Sequence, residues 1–291
     1  MTPAKAKPLR LIGFILGVAL LAAAIMAIAR SAPTLEHLRE VVVRPDAFLI
    51  VCVVAAALGS LIGSSGMFFA LLRPFGRITL FEMVKLIAAS SVLNYLPLRP
   101  GLFGRLAYQQ IVSGIPMRRS VLSVVEAAVI CAVSIFWMAA VVAIVRWTDA
   151  RAVGGVLVAL PILCGLALAL PDRSRLRPYL EAIFWRWIDL IAWTVRYAVV
   201  FAMLGVELTP ESAAAAACIA GAANMIPFLG NGLGVREWAI GLAGPALATW
   251  TTDIGLAAEL INRAVELVVI VPIGWSSMPW IARAVRGATP K

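Results

Sequence analysis

The 291-residue chain is 62% hydrophobic and only 14% charged, with a mean hydropathy of +0.96. A soluble domain is nearer ~45–50% apolar and ~25% charged, so this chain lacks the polar surface of a water-facing globule and reads as an integral membrane protein. Its net charge of +10 sits in short gaps between apolar runs, a pattern of membrane topology that gives no reason to expect nucleic acid as a partner.

The first apolar run, Leu11–Ala29, follows Lys5, Lys7 and Arg10. Ala27-Ile28-Ala29 resembles a cleavage site, but the run exceeds the ~7–15 residues of a signal core, so an uncleaved first helix is expected. Further spans are expected at Ala47–Leu72, Ser120–Val145, Ala152–Leu170, Ala182–Leu204 and Ile254–Trp275, each near the ~20 apolar residues a crossing needs. Two stretches differ in kind. Phe81–Leu98 carries Glu82, Lys85 and Asn94 and breaks at Pro97 and Pro100, while Ser212–Leu229 is alanine-rich and breaks at Asn224, Pro227 and a glycine cluster. Each reads as a re-entrant hairpin.

The basic residues agree with that reading. With a cytoplasmic N-terminus and two hairpins, fifteen Lys and Arg fall on the cytoplasmic side and six, Arg236 among them, fall outside. This is a positive-inside bias. The expected fold is therefore an all-α polytopic membrane protein with about six full spans, two re-entrant hairpins and both termini in the cytoplasm. It forms one transmembrane domain over 1–291, with repeat-like halves at about 47–145 and 182–275.

The two breaks match in their offsets. The first reads Asn94-x-x-Pro97-x-Arg99-x-Gly101-x-x-Gly104-Arg105, and the second reads Asn224-x-x-Pro227 through Gly232-x-Gly234-x-Arg236-Glu237. Three expected spans separate them, an odd number, so the hairpins enter from opposite faces, as in the inverted repeats of transporters. Proline ends a helix, glycine permits conformations closed to other residues, and the freed backbone groups cannot face lipid. Asn is suited to cap a broken helix end, and Arg to grip a phosphate with two parallel hydrogen bonds.

Nine ionisable residues lie within apolar stretches: Glu82, Lys85, Glu126, Arg186, Asp189, Arg196, Glu259, Arg263 and Glu266. A charge facing lipid costs roughly 2.5–3.5 kcal/mol, so these are expected to face the protein interior and pair, or to lie near an interface. Arg186, Asp189, Trp193 and Arg196 share one helical stripe; Glu259, Asn262, Arg263 and Glu266 share another. Glu82 and Lys85 are neighbours three apart, suited to a structural salt bridge or to snorkelling. Gly59, Gly63 and Gly66 form a small-residue face that close helix packing explains. His37 is the only histidine, and Cys52, Cys131, Cys164 and Cys218 lie far apart, so no metal, cofactor or disulfide is expected.

The two breaks, Glu126 and the Asn262-Arg263 helix resemble the lysylphosphatidylglycerol-synthase transmembrane (flippase-like) family, over roughly residues 10–280. This is the membrane domain of multiple peptide resistance factors, and the resemblance is to that domain, with no soluble synthase expected. The more specific segment is Pro227 through Gly232-Leu-Gly234-Val-Arg236-Glu237. Departures are Leu102, where the family usually has an acid, Ala127, where an Arg commonly follows the glutamate, and Asn231 in the second-motif glycine pair. The resemblance implies a flippase of the bacterial inner (plasma) membrane that moves lipid without modifying it.

The expected site is a polar cavity between the hairpins that takes the anionic or zwitterionic headgroup of a membrane lipid. Arg105, Arg186, Arg196, Arg236 and Arg263 would meet its phosphate, and Glu126, Asp189, Glu237 and Glu259 would balance them or meet an ammonium group. Self-association is left open. Two alternatives remain: a polyprenyl-linked glycosyl- or lipid-transferase using Glu36, Glu40 and Asp46, and a small-solute channel, which the charges disfavour. An enzyme is the lesser reading.

Overall fold

The structure, a computed structural model, describes residues 3–96, 100–169, 174–226 and 230–288. Pro97, Arg99 and Pro227 of the two motifs lie outside the described residues. Among the described residues the chain is 86% helix, with no strand. Eleven α-helices follow in order: α1 (Pro3–Ala29), α2 (Ala32–Val43), α3 (Ala47–Leu72), α4 (Leu80–Leu93), α5 (Pro100–Ile111), α6 (Met117–Thr148), α7 (Arg151–Leu163), α8 (Arg177–Met203), α9 (Pro210–Asn224), α10 (Val235–Leu247) and α11 (Thr252–Ala288).

Local chemistry accounts for the boundaries. Asp46 Oδ1 accepts from Phe48 N at 2.8 Å and caps α3. Thr79 and Glu82 close a reciprocal capping box at the start of α4, and Thr209 caps α9 through Ser212 N. Proline at position 161 lacks a backbone donor, and three residues later α7 gives way to a 3-10 turn over Cys164–Ala169.

By length and composition, α3 and α6 can each cross a membrane. The α1–α2 pair, bent by 96°, would add a third crossing if it formed one span. The other expected crossings are not established on this basis, for identifiable reasons. α7 has only 13 residues, and α8 and α11 carry the charges that lower their apolar character. α2 occupies a segment expected to be a loop, with Pro33 in its first turn.

The chain forms two compact units, each discontinuous in sequence. Unit one comprises Met1–Ala57, Tyr95–Leu98 and Ala192–Leu267; unit two comprises Leu58–Asn94, Arg99–Ile191 and Val268–Lys291. In unit one, α10 packs on α1 and α9. The alanines of α9 from Ala213 to Ala217 are all buried, and such small side chains let helices approach closely. In unit two, α4 packs on α5, α5 on α6, and α6 on α7. α3 and α8 come close through glycine: a Cβ on Gly63 would stand 2.7 Å from Asp189 N, and one on Gly66 2.3 Å from the Trp185 ring. Met67, Ala70, Leu71, Ala127 and Ala182 form the apolar core beside that contact.

Candidate functional site

In unit one, the second break positions the site. α9 ends at Asn224, and α10 begins after Asn231, Gly232 and Gly234, all with positive φ. Glycine is required at 234, because a Cβ there would stand 2.4 Å from Gly17 O on α1. Trp238 Nε1 donates to Leu20 O at 3.0 Å and holds α10 to α1. The first turn of α10 thus carries Arg236 and Glu237 into the interior, both fully buried.

There they join residues of α8 and α11. Arg236 Nε donates to Glu259 Oε1, and its Nη1 and Nη2 each lie 3.2 Å from Glu266 Oε2. Arg196 Nε donates to Asn262 Oδ1 at 2.9 Å, and its Nη2 is 3.7 Å from Glu266 Oε2. Arg263 Nε donates to Glu237 Oε1 at 2.6 Å, and its Nη1 reaches Asn231 O at 3.5 Å. Tyr197 Oη donates to Glu259, which also accepts from Asn262 Nδ2 at 3.2 Å. The Trp193 ring faces both Arg196 and Arg236, at 5.0 and 5.1 Å, and Tyr95 from the first break lies 5.9 Å from Arg263.

Three guanidinium groups therefore meet three carboxylates, and the cluster is neutral. Desolvating charges is expensive, and only close pairing with further hydrogen bonds offsets the cost. The acids differ in how tightly they are held. Glu237 and Glu259 have fully buried side chains, whereas Glu266 is 19% exposed and makes the longer contacts. Among the described residues Arg263 Nη2 and Glu237 Oε2 remain without hydrogen-bond partners.

Apart from Asn224 in unit one, the remaining candidates lie in unit two, in separate arrangements. Arg186 pairs with Asp189, which also accepts from Ser60 Oγ. Glu126 is half-buried and accepts from Tyr179 Oη at 3.2 Å; among the described residues it meets no arginine. Asn94 Oδ1 accepts from Leu102 N at 3.0 Å, so the first-motif asparagine caps α5 as expected. Its counterpart Asn224 has an unpartnered Oδ1, beside the space a Cβ on Gly232 would fill. Gly101 is pressed on α4, where a Cβ would stand 2.0 Å from Ser90 O. Arg105 is buried over the Phe68 ring at 4.0 Å.

Several expectations need correction. Arg236, counted with the outer loops, is at the centre of the buried network. Glu82 and Lys85 do not pair: Glu82 is taken by the capping box, and Lys85 lies between the Phe81 and Trp280 rings at 4.2 and 4.4 Å. The Arg186–Arg196 stripe is not one cluster, since Arg186 and Asp189 belong to unit two and Arg196 to unit one. Sequence reasoning left Tyr95, Tyr197, Asn262 and Glu266 out of the site, although the last two were legible on the α11 stripe. It also missed Glu181, buried between Arg73 at 2.8 Å and Arg177 at 2.7 Å, where the four-residue spacing to Arg177 was a signal. Outside these clusters, Glu40 and Asp46 line an open cleft with Arg44, Leu49 and Met203.

Compared with family models, curated proteins and solved structures, the chain matches none.

Proposed function

We propose that this chain is a lipid translocase of the bacterial inner membrane, similar to the lysylphosphatidylglycerol-synthase transmembrane family. It carries the polar headgroup of a phospholipid past a buried charged centre while the acyl chains stay in the bilayer. In this reading the chain has about six spans and two re-entrant hairpins, formed by α4–α5 and α9–α10, and both termini are cytoplasmic.

The observation that carries the reading is the neutral cluster of Arg196, Arg236 and Arg263 with Glu237, Glu259 and Glu266. A purely apolar bundle gains little from six such groups, because a hydrophobic replacement of similar volume is commonly as stable. A phosphate in the headgroup matches the arginines, and a headgroup that also carries an ammonium matches both signs. A water or small-solute pore has no use for so many fixed charges.

The test is reconstitution of the purified chain in liposomes that carry fluorescent-headgroup phospholipids. Dithionite bleaches the outer leaflet only, so translocation appears as extra bleaching beyond half of the signal. Wild type is expected to translocate at least one anionic or zwitterionic lipid, and an Arg196→Ala, Arg236→Ala variant to lose this. A wild-type protein inert toward every headgroup tested would end the proposal.

A transferase is the second reading, favoured by one observation: Glu40 and Asp46 share the cleft with Arg44. Turnover of a polyprenyl phosphate-linked donor, abolished by Glu40→Gln, would establish it.

A further inference from the structure

A second polar cluster lies in unit two, on α5. Arg105, Tyr108 and Gln109 are spaced three and four apart and so share one face of the helix. They are 7%, 2% and 1% exposed. On the opposite face Phe103 is 54% exposed, and at the flank of the stripe nothing lies within 4 Å of a Cβ on Gly104.

These side chains carry polar atoms that the protein does not satisfy. Among the described residues Arg105 Nε, Tyr108 Oη and both amide atoms of Gln109 have no hydrogen-bond partner. Among the described residues Arg105 has no ion pair either, and its guanidinium lies over the Phe68 ring at 4.0 Å. Arg186, Arg196, Arg236 and Arg263 each have a carboxylate. Arg105 does not. A buried guanidinium without an anion is costly, and so is a buried amide that neither donates nor accepts.

The stripe is also rigidly held. Gly101 against Ser90 O fixes α5 on α4, and Asn94 fixes its first turn. Gln109 O accepts from Ile115 N at 2.9 Å, which fixes its last turn. The Tyr108 ring packs on Trp280 at 5.8 Å, so its hydroxyl has a set direction. Glu82 acts on Tyr108 electrostatically, but its carboxylate is engaged with Thr79.

We infer that Arg105, Tyr108 and Gln109 form a buried oxyanion site that takes a phosphate group. The guanidinium supplies charge and directional donors, the tyrosine hydroxyl and the Gln109 amide nitrogen supply further donors, and Gln109 Oε1 accepts from a phosphate hydroxyl or a bridging water. A carboxylate ligand would use fewer of these donors. The phosphate belongs either to a lipid headgroup or to a free anion. The site does not depend on translocation, since a chain that moves no lipid can still bind here.

The test is thermal unfolding and equilibrium binding of the full chain in a neutral detergent, with two probes taken separately: inorganic phosphate and short-chain phosphatidylglycerol. At least one is expected to bind saturably and raise the melting temperature. Saturable binding of the lipid alone assigns a headgroup site; binding of inorganic phosphate, with or without the lipid, assigns a site for the free anion. Arg105→Gln and Gln109→Leu are each expected to weaken that binding tenfold or more, while Gly104→Ala leaves it unchanged. Because Arg105→Gln could impair folding, the near-isosteric Gln109→Leu carries the decision. Without ligand it is expected to melt no lower than wild type, as it removes two unsatisfied atoms. The inference is overturned if neither probe binds, or if Gln109→Leu binds as wild type does.

Discussion

Both terminal nitrogens of Arg236 lie 3.2 Å from the same oxygen of Glu266, Oε2. A guanidinium fork is best used when each nitrogen meets its own oxygen. Here two donors share one acceptor, while the Nε of the same arginine holds Glu259 in a fully buried pair. Two carboxylates thus divide one cation, and Glu266 is the one that can leave without stranding it.

Glu266→Gln is accordingly expected to favour anionic ligands. It removes one negative charge and leaves Arg236 compensated by Glu259, while Arg196 loses the carboxylate it faces at 3.7 Å, so the network carries one net positive charge. Translocation of phosphatidylglycerol in the dithionite assay should rise several-fold relative to phosphatidylethanolamine, with modest loss of stability, about 1–2 kcal/mol for the hydrogen bonds given up. A fall in phosphatidylglycerol translocation would show Glu266 to be a fixed structural partner instead.

The tight pair behaves differently. Arg236→Ala strands Glu259 at full burial, and loss of one member of such a pair costs about 3–5 kcal/mol. Replacing both, as Arg236→Met with Glu259→Leu, removes the desolvation cost along with the attraction. Unfolding of the detergent-solubilised protein should therefore rank wild type and the double variant together, above Arg236→Ala. Equal destabilisation by the single and double changes would mean that packing around the pair, and not charge, sets its contribution.

Much of this site was legible before any geometry. Charges inside apolar runs were expected to face the interior and pair or to lie near an interface, and Arg236-Glu237 after the glycine-rich break were expected among the headgroup contacts. What the spacing could not give was distance along a helix. Arg186 and Arg196 share a face of α8, but ten residues at ~1.5 Å each place them about 15 Å apart. They consequently serve different partners, Asp189 and Asn262. Tyr197 was overlooked, and Asn262, though named on the α11 stripe, was left out of the site, for another reason: neutral polar groups leave no trace in a charge count, yet they satisfy the spare lone pairs of Glu259. Arg236 was assigned outside because a topology tally treats every arginine beyond an apolar run as a loop residue.

The matched glycines of the two motifs give a sharper separation. Gly104 and Gly234 stand in the same place relative to their prolines, seven residues on. Around Gly104 there is open space within an exposed helix face, so Gly104→Ala should stabilise by roughly 0.5–1 kcal/mol through helix propensity. Gly234 has φ 78 and its Cβ would stand 2.4 Å from Gly17 O, so Gly234→Ala should displace α1 from the break and lower the melting temperature sharply. Similar melting temperatures for the two variants would show that the α1 contact does not constrain the break.

A last expectation concerns the ends of α2 and α11. Asp253 Oδ2 accepts from Ser31 Oγ at 2.6 Å and from Thr34 Oγ1, while Oδ1 accepts from Thr251 Oγ1. Burial opposes ionisation of this carboxyl, but the hydroxyls of Ser31, Thr251 and Thr34 outweigh it and hold the group well below the usual carboxylate range. A carboxyl depressed on folding stabilises fully above its unfolded value of about 3.9, and the contribution fades as pH falls from there toward the folded value. Asp253→Asn keeps the shape and loses the charge, so it should cost about 2 kcal/mol at pH 7, through weaker hydrogen bonds. The gap in melting temperature between wild type and this variant should hold from pH 7 to about 5 and narrow below about 4. A gap unchanged at pH 3 would mean that the three hydroxyls do not hold an ionised carboxylate.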